Sequence, residues 1–520
     1  MRDTHAKNPH PSPIRSWSTT AIVLIAVLLR VGLAAALASQ PERYFQSDAP
    51  HYERLANNLL EFHVFTLSEA PPLEPDALRT PLYPLFMAAI YGLFGHRPFA
   101  IVLAQCAASM ISLWLASHLA HRTFGRRAAL IAALCMALDL GQVIFASLIM
   151  TETVFVTLVV SSAWWTWRLV DATTSVRSEG GCRHPFRSAG VPFRRDRLVY
   201  AGLAGASAGL AALCRPVATY LPIVLAAVVG VHWLEQGRSR PDRFRKTCQV
   251  SPQGRSAQTI GRALGQIGVM GLAVLISLSP WLIRNALRFD SPQLSTIQGF
   301  NLLFHNTAYL RARLDGSTWK EEFNQLRDDV EAEIGDQDLG QMELASYYQQ
   351  KAIREIASHP VAYAQAHATG MFWFFATPNT NFLANQLGIL RQPTGIIANL
   401  RTRNLSANLQ ALREFWDEYV YGAPVQLVFL LALVSEILIL GCTYLGALWG
   451  TVVGIRERQW ASLALLLGLI GYFAFVTGPL GYARFRIPAM PFICILAGSG
   501  WAHGLRKLFS GLLARRSGAA

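Results

Sequence analysis

The strongest constraint on this chain is its succession of apolar runs, each about 17 to 25 residues long and so able to cross a bilayer. Hydrocarbon offers no partners to backbone N–H and C=O groups, so such runs fold as helices. The 520 residues are 52% apolar and only 15% charged, whereas soluble domains carry charge on roughly a quarter of their residues. The fold class read from this pattern is an all-α polytopic integral membrane protein.

The first run, Trp17 to Ala38, follows a basic leader and ends in Ala36-Leu37-Ala38, a small-residue pattern like that of a signal-cleavage site. Its apolar core is longer than a signal peptide's and contains Arg30, so it is read as a retained helix. Nine further crossings are expected near Phe99–Ala120, Ala128–Phe145, Glu152–Val170, Leu198–Leu213, Val217–Trp233, Ala263–Trp281, Val425–Trp449, Ala461–Thr477 and Pro488–Leu505. The run Pro81 to Gly95 is short and opens with two prolines, which fits an interfacial or re-entrant helix better than a full span. Parity places Val361 to Phe375 on the outer surface, with two missed half-spans as the alternative.

The formal charge of +14 is unevenly spread. Asp171 to Arg197 holds six arginines against three acidic residues, and Glu235 to Arg262 holds seven Lys/Arg against two. Arg284 to Ser358 reverses the balance, with twelve acidic and eight basic residues. This is the positive-inside pattern of a membrane protein, so no nucleic-acid partner is needed to explain the charge. The expected organisation is a cytoplasmic tail over 1–16, then a catalytic membrane module over 17–283 with an outer loop at 40–97. A long outer segment (284–423), C-terminal membrane helices (424–505) and a basic cytoplasmic tail (506–520) follow. Asp48, Arg79, Glu152, Arg215, Arg284 and the Tyr482–Arg486 cluster then share the outer face.

Seven cysteines show no CxxC spacing, and Cys106, Cys135, Cys214, Cys442 and Cys494 lie in or beside apolar runs. They read as packing residues, not as a zinc site or disulfide framework. His51, His63 and His305 match no metal-ligand spacing and read as isolated polar contacts. No metal residue is assigned.

Asp48 opens the stretch SDAPHYERLANNLLE, in which Tyr52, Leu55, Ala56 and Leu59 form one apolar helical face. Asp is a favoured N-cap and Pro50 suits a first turn, so a cap is one reading. A carboxylate that accepts a proton from a hydroxyl at the membrane surface is the other. Glu152 begins a crossing, where the helix dipole favours it, yet a charge beside hydrocarbon is costly and is often functional. Asp139 is read equally as a helix-ending residue or as chemistry. Arg79, Arg215, Arg284, Arg484 and Arg486 each suit a snorkelling anchor; converging on one face, they suit a phosphate, because guanidinium donates paired hydrogen bonds.

The ordered set SDAPHYERLANNLLE, RTPLYPLFMAAIYGLFG, MTETVF, LCRP, SPWLIRNALRFDSP and GYARFRIPAMP resembles the bacterial branch of the dolichyl-phosphate-mannose-protein mannosyltransferase superfamily, which includes the lipid A aminoarabinose transferases. The resemblance runs from about Trp17 to Leu505. It implies a GT-C-type bundle of about ten or more transmembrane helices with outer-face interfacial helices. It also implies inverting transfer of a sugar from a polyprenyl-phosphate donor to a lipid, glycan or protein acceptor at the outer face of a bacterial inner membrane. Asp48 matches the family's first-loop catalytic aspartate and Glu152 its second acidic position. Arg79 falls where the aminoarabinose enzymes carry a phosphate-contacting lysine. Arg215, Arg484 and Arg486 are further donor-phosphate candidates, and His51, Tyr83, Arg284, Asn285, Asn301, His305 and Tyr482 are candidate substrate contacts. No cofactor is assigned, and a divalent ion at Glu152 is left open. Two features depart from the eukaryotic members: Asp48 is followed by Ala49 instead of Glu, and their large soluble insertion is missing. A polymerase or ligase of lipid-linked oligosaccharides, and a transporter or flippase of lipid-linked sugars, are the competing readings.

Overall fold

A computed structural model describes residues 14–178, 195–238, 252–388 and 424–517. The tail 1–13, most of the two strongly basic loops, the stretch 389–423 of the long outer segment and the last three residues of the C-terminal tail lie outside the described residues. Among the described residues there is no β-strand.

Ten helices lead to the acidic segment: α1 (Ile14–Ala36), α2 (Ala49–Glu61), α3 (Leu82–Phe94), α4 (Pro98–Phe124), α5 (Arg126–Leu138), α6 (Leu140–Ser147), α7 (Glu152–Ser178), α8 (Arg195–Cys214), α9 (Leu221–Arg238) and α10 (Pro252–Phe289). The acidic segment comprises α11 (Ile297–Phe300), a π-helical turn at Asn301–Thr307, α12 (Ala308–Asp315), α13 (Trp319–Ile334), α14 (Gln341–Ser358), α15 (Pro360–Ala376) and α16 (Thr380–Gln386). The chain closes with α17 (Pro424–Arg456), α18 (Trp460–Val476), α19 (Ala483–Arg486) and α20 (Met490–Ser517).

Each expected crossing falls on helix. Among the described residues seven helices are long and apolar enough to span, and α5 with α6, bent by 54°, has the length and apolarity of a broken span or a re-entrant loop. The remaining two expected crossings are the 17-residue α18 and the longer α20. The protein is thus a multi-pass membrane protein with an all-helical bundle, and the 13-residue α3 is a short apolar helix, as its two prolines implied.

The break between α5 and α6 has a polar cause. Asp139 ends α5 and caps α6 by accepting from the Gln142 amide at 2.8 Å, which is the turn and helix-ending role among its sequence readings. Fully buried Arg30 donates to the Met136 carbonyl at 3.1 Å, the Ala137 carbonyl at 3.4 Å and Ser109 Oγ at 2.8 Å. The arginine in the first span therefore satisfies the free carbonyls at the end of α5, where a cation is favoured by the helix dipole. Its hydrogen-bond partners are carbonyls and a hydroxyl.

The bundle is built on close backbone approach. α20 packs along α17 and α5, and α8 packs along α7 and α10. A Cβ on Gly500 of α20 would meet the Gly446 carbonyl of α17 at 2.1 Å. Small residues of this kind let membrane helices touch where lipid gives no hydrophobic drive to associate.

Candidate active site

The α1–α2 connection turns sharply, with Ser47 at a φ of 53°, a costly conformation for a non-glycine residue that recurs at functional sites. Asp48 is the N-cap position of α2, but its side chain makes no capping hydrogen bond. One oxygen instead accepts from Arg79 Nη2 at 2.9 Å and the other from Arg484 Nη2 at 3.3 Å. Of its two sequence readings, the local one is therefore not realised in the side chain. The amphipathic face seats α2 on the bundle, burying Tyr52, Leu55 and Ala56.

Glu152, fully buried at the start of α7, pairs with both Arg215 and Arg484 through one carboxylate oxygen. Arg215 sits where α8 ends, and its guanidinium lies 5.7 Å from the Phe155 ring. The 3₁₀ turn Gly478–Leu480 and the four-residue α19 deliver Arg484 between the two carboxylates. Arg484 Nη1 also reaches Ser47 Oγ at 3.4 Å. Three guanidinium groups and two carboxylates thus form one connected cluster whose charges sum to +1 (three minus two).

Arg79 is held from several sides. Asp76 accepts from its backbone amide at 3.2 Å, and the Tyr52 ring lies 5.3 Å from its guanidinium. Arg79 donates to His51 Nδ1 at 3.1 Å, so that nitrogen accepts and the imidazole proton is assigned to Nε2. Burial, then the Arg79 charge, lower the His51 pKa despite Asp48, which leaves the ring neutral near pH 7. Burial alone would raise the Asp48 pKa; Arg79 and Arg484 outweigh it and hold the carboxylate below its usual range. Arg79 Nε is closed off from solvent and has no partner among the described residues.

The other sequence candidates are placed as follows. Arg486 is buried and turned away from the cluster; its Nη1 donates to the carbonyls of Phe375 and Thr377, each at 2.8 Å, and of Phe374 at 3.1 Å. It anchors the Arg484 segment on the C-terminal end of α15. Arg284 donates to the Asp76 carbonyl at 2.8 Å among Trp281, Phe289 and Phe65, and buried Asn285 donates to the Gln293 carbonyl at 2.7 Å. Both secure the end of α10 and the loop that carries Asp76. Buried Tyr83 donates to Gln105 Oε1 at 2.5 Å and meets Tyr52 edge-on at 5.1 Å, so it supports the wall behind Arg79. The Asn301 carbonyl accepts from Asn306 within the π-helical turn, and the Tyr482 ring lies 5.4 Å from Phe382. His305 stacks on Trp319 at 5.4 Å and 6°; its Nδ1 and Trp319 Nε1 are both enclosed and lack a partner among the described residues.

Sequence reasoning missed Ser47, Tyr52 and Asp76, which shape the cluster without carrying an obvious motif. The cluster does not offer a divalent ion a ligand set. Each carboxylate already faces two guanidinium groups, and among the described residues no three His, Cys, Asp or Glu side chains come together as metal ligands would.

Residues 78–177 match the family model for dolichyl-phosphate-mannose-protein mannosyltransferase, a stretch that contains Arg79, Tyr83 and Glu152. The fold is similar to that of the Archaeoglobus fulgidus oligosaccharyltransferase, with a TM-score of 0.51 at 13% identity over 98% of this chain and 53% of that one. The oligosaccharyltransferase AglB of that organism, in complex with an inhibitory peptide and a dolichol-phosphate, matches with a TM-score of 0.50 at 13% identity over 97% of this chain and 52% of that one. A weaker likeness, at a TM-score of 0.39 and 13% identity, links 94% of this chain to 77% of ArnT from Cupriavidus metallidurans bound to undecaprenyl phosphate. No curated protein matches the chain in sequence. The chain spans about half the length of the oligosaccharyltransferases whose fold it shares. The fold is shared with these oligosaccharyltransferases, and the resemblance read from the motifs is met by the family model over residues 78–177.

Proposed function

We propose that this protein is a glycosyltransferase that moves a sugar from a polyprenyl-phosphate donor to an acceptor hydroxyl, with inversion, at the periplasmic face of a bacterial inner membrane. The observation that carries the reading is Asp48 itself, a part-exposed carboxylate held between two arginines, one of which has an unused donor. The membrane module 17–283 supplies Asp48, Arg79, Glu152 and Arg215, and the C-terminal helices supply Arg484. A relative in fold is held with dolichol-phosphate, which agrees with a lipid-linked donor.

The charge balance gives the chemistry an order. A donor phosphate enters a cluster with one uncompensated positive charge and competes with the carboxylates for Arg79 and Arg484. As those guanidinium groups turn to phosphate oxygens, Asp48 loses the partners that depress its pKa and becomes a stronger base. The acceptor oxygen then attacks the anomeric carbon, its proton passes to Asp48, and the carbon–oxygen bond to phosphate breaks. The electron pair stays on the polyprenyl phosphate, whose developing charge the arginines stabilise. Glu152 keeps Arg215 and Arg484 oriented from the buried side.

The test is transfer from a radiolabelled panel of polyprenyl-phosphate sugars to membrane lipid and glycan extracts, with wild type and Asp48→Asn in parallel. Wild type transfers one sugar; the variant, folded and still binding donor, is slower by about 10²- to 10⁴-fold. Normal transfer by Asp48→Asn would remove the base from this mechanism.

A further inference from the structure

The segment between α10 and α15 folds around its own apolar cluster, which includes Leu303, Phe304, Leu326 and Val330. A cavity of about 490 Å³ opens into it, within the roughly 300–1,000 Å³ span of small-molecule sites. Its walls combine the rings of Phe300, Phe304, Phe323 and Tyr348 with the exposed side chains of Arg327, Glu331, Gln337 and Asp338. The rings stand at steep angles: Phe304 meets Tyr348 edge-on at 5.1 Å and 80°, and lies 5.7 Å from Phe323 at 54°. Three ion pairs lie elsewhere in the segment, joining Arg311 to Asp329 and Glu355 and Lys351 to Glu333. Among the described residues neither Arg327 nor Asp338 enters an ion pair.

We propose that this cavity is a saccharide-binding site that holds a neutral glycan. Its role as acceptor rests on the transferase reading; its binding does not. A sugar ring has apolar C–H faces and a hydroxyl edge, and the cavity offers aromatic faces within and polar groups at the mouth. The Arg327 guanidinium can only donate hydrogen bonds, the Glu331 and Asp338 carboxylates offer acceptors, and a hydroxyl serves both kinds of partner. A neutral polyol therefore satisfies both together. An acyl chain would leave both unmatched, and an anionic headgroup would be repelled by Asp338.

The position also fits. His305 contacts the cavity rings Phe300 and Phe323, each at 5.8 Å, from outside the cavity, and stacks on Trp319. The Asp48 carboxylate acts on His305 against the effect of its burial, so the two are within electrostatic reach. A glycan bound by one sugar unit in the cavity would extend its next unit toward the His305 side of the aromatic cluster.

The experiment is binding of the full-length protein, in detergent or nanodiscs, to an array of neutral oligosaccharides of two to four units, with neutral and acidic peptides on the same array. The expected result is selective binding to a subset of the glycans. Phe323→Leu weakens it at least tenfold, Phe323→Tyr keeps it, and surface-exposed Asp338→Asn, whose fold is not at risk, weakens it by a similar factor. Glycan binding that both variants leave unchanged, binding to peptides alone, or no glycan bound overturns the site. Because the array needs neither donor nor turnover, glycan binding without sugar transfer would refute the transferase and leave the cavity assigned. Transfer without glycan binding would do the reverse.

Discussion

Asp48 and Glu152, one on the loop after the first span and the other at the start of α7, share a single guanidinium, that of Arg484. The sharing uses the fork of the arginine: Nη2 reaches Asp48 while Nε reaches Glu152. The C-terminal part of the chain thereby completes a site whose other residues come from its first half. Neither carboxylate can change protonation or partner without moving the same cation.

Arg484→Lys tests the fork. Lysine carries the same charge, but its ammonium is a point donor on a flexible stem and cannot hold two carboxylates in fixed directions. The variant is expected to fold and to lose at least tenfold in kcat/KM for sugar transfer, roughly 1.4 kcal/mol or more of transition-state stabilisation. Wild-type kinetics would show that only the charge matters.

The pH profile reports on Asp48 directly. Arg79 and Arg484 hold its carboxylate below the usual aspartate range, so in the unliganded protein the base is ionised at every pH above that range. The acidic limb of kcat/KM, which reads free-enzyme groups, should therefore fall below the ordinary aspartate value. Arg79→Gln removes one of the two opposing charges, so the Asp48 pKa rises and the acidic limb moves to higher pH. A limb that stays in place in the variant would mean that another group controls it. The stability linkage has the same sign: the depressed pKa stabilises the fold above the unfolded aspartate value, and that contribution is lost as pH falls through the folded one.

Much of the fold was legible because hydrocarbon imposes a simple rule on backbone polar groups, and every expected crossing fell on helix. Asp48, Glu152, Arg79, Arg215 and Arg484 were legible as charges at helix ends, where position alone makes an ionisable group informative. Arg486 was not separable from Arg484. The two stand two residues apart on one short turn, and only the fold shows that one reaches the carboxylates while the other reaches the end of α15. Arg284 and Asn285 carried the same ambiguity, since an arginine that stacks on Trp281 and braces a loop has the same sequence signature as one that grips a ligand. Ser47 and Asp76 were silent because they act through backbone geometry and a backbone amide.

Glu152 tests how far the buried cluster supports the fold itself. Glu152→Gln leaves Arg215 and Arg484 facing each other in a buried place without their shared anion. Breaking a buried pair from one side costs about 3–5 kcal/mol, mostly because a charge is left uncompensated. Pairing the change with Arg215→Met removes one of those charges, so the double variant is expected to be more stable than Glu152→Gln alone. Additive losses in thermal unfolding would show that the two residues are energetically independent.

The position of Arg484 depends on a backbone contact that no side chain can enter. A Cβ on Gly481 would fall 1.5 Å from the Gly370 carbonyl oxygen of α15, and one on Gly370 would fall 2.1 Å from the Gly478 carbonyl. Both obstacles are backbone, so neither can swing aside as the end of a long side chain does. Gly481→Ala must therefore push the turn that leads into Arg484 away from α15, at a cost of about 1–3 kcal/mol or more for overpacking. It should also draw Arg484 off Asp48 and Glu152. Gly95→Ala is the matched control. Gly95 has a φ of 74° but nothing within 4 Å of the added methyl, so it meets backbone strain without a clash. Both variants should lower the unfolding temperature, but only Gly481→Ala should also raise the KM for the polyprenyl-phosphate donor. Equal donor KM in the two would mean that the α15 contact supports the fold without setting the geometry of the site.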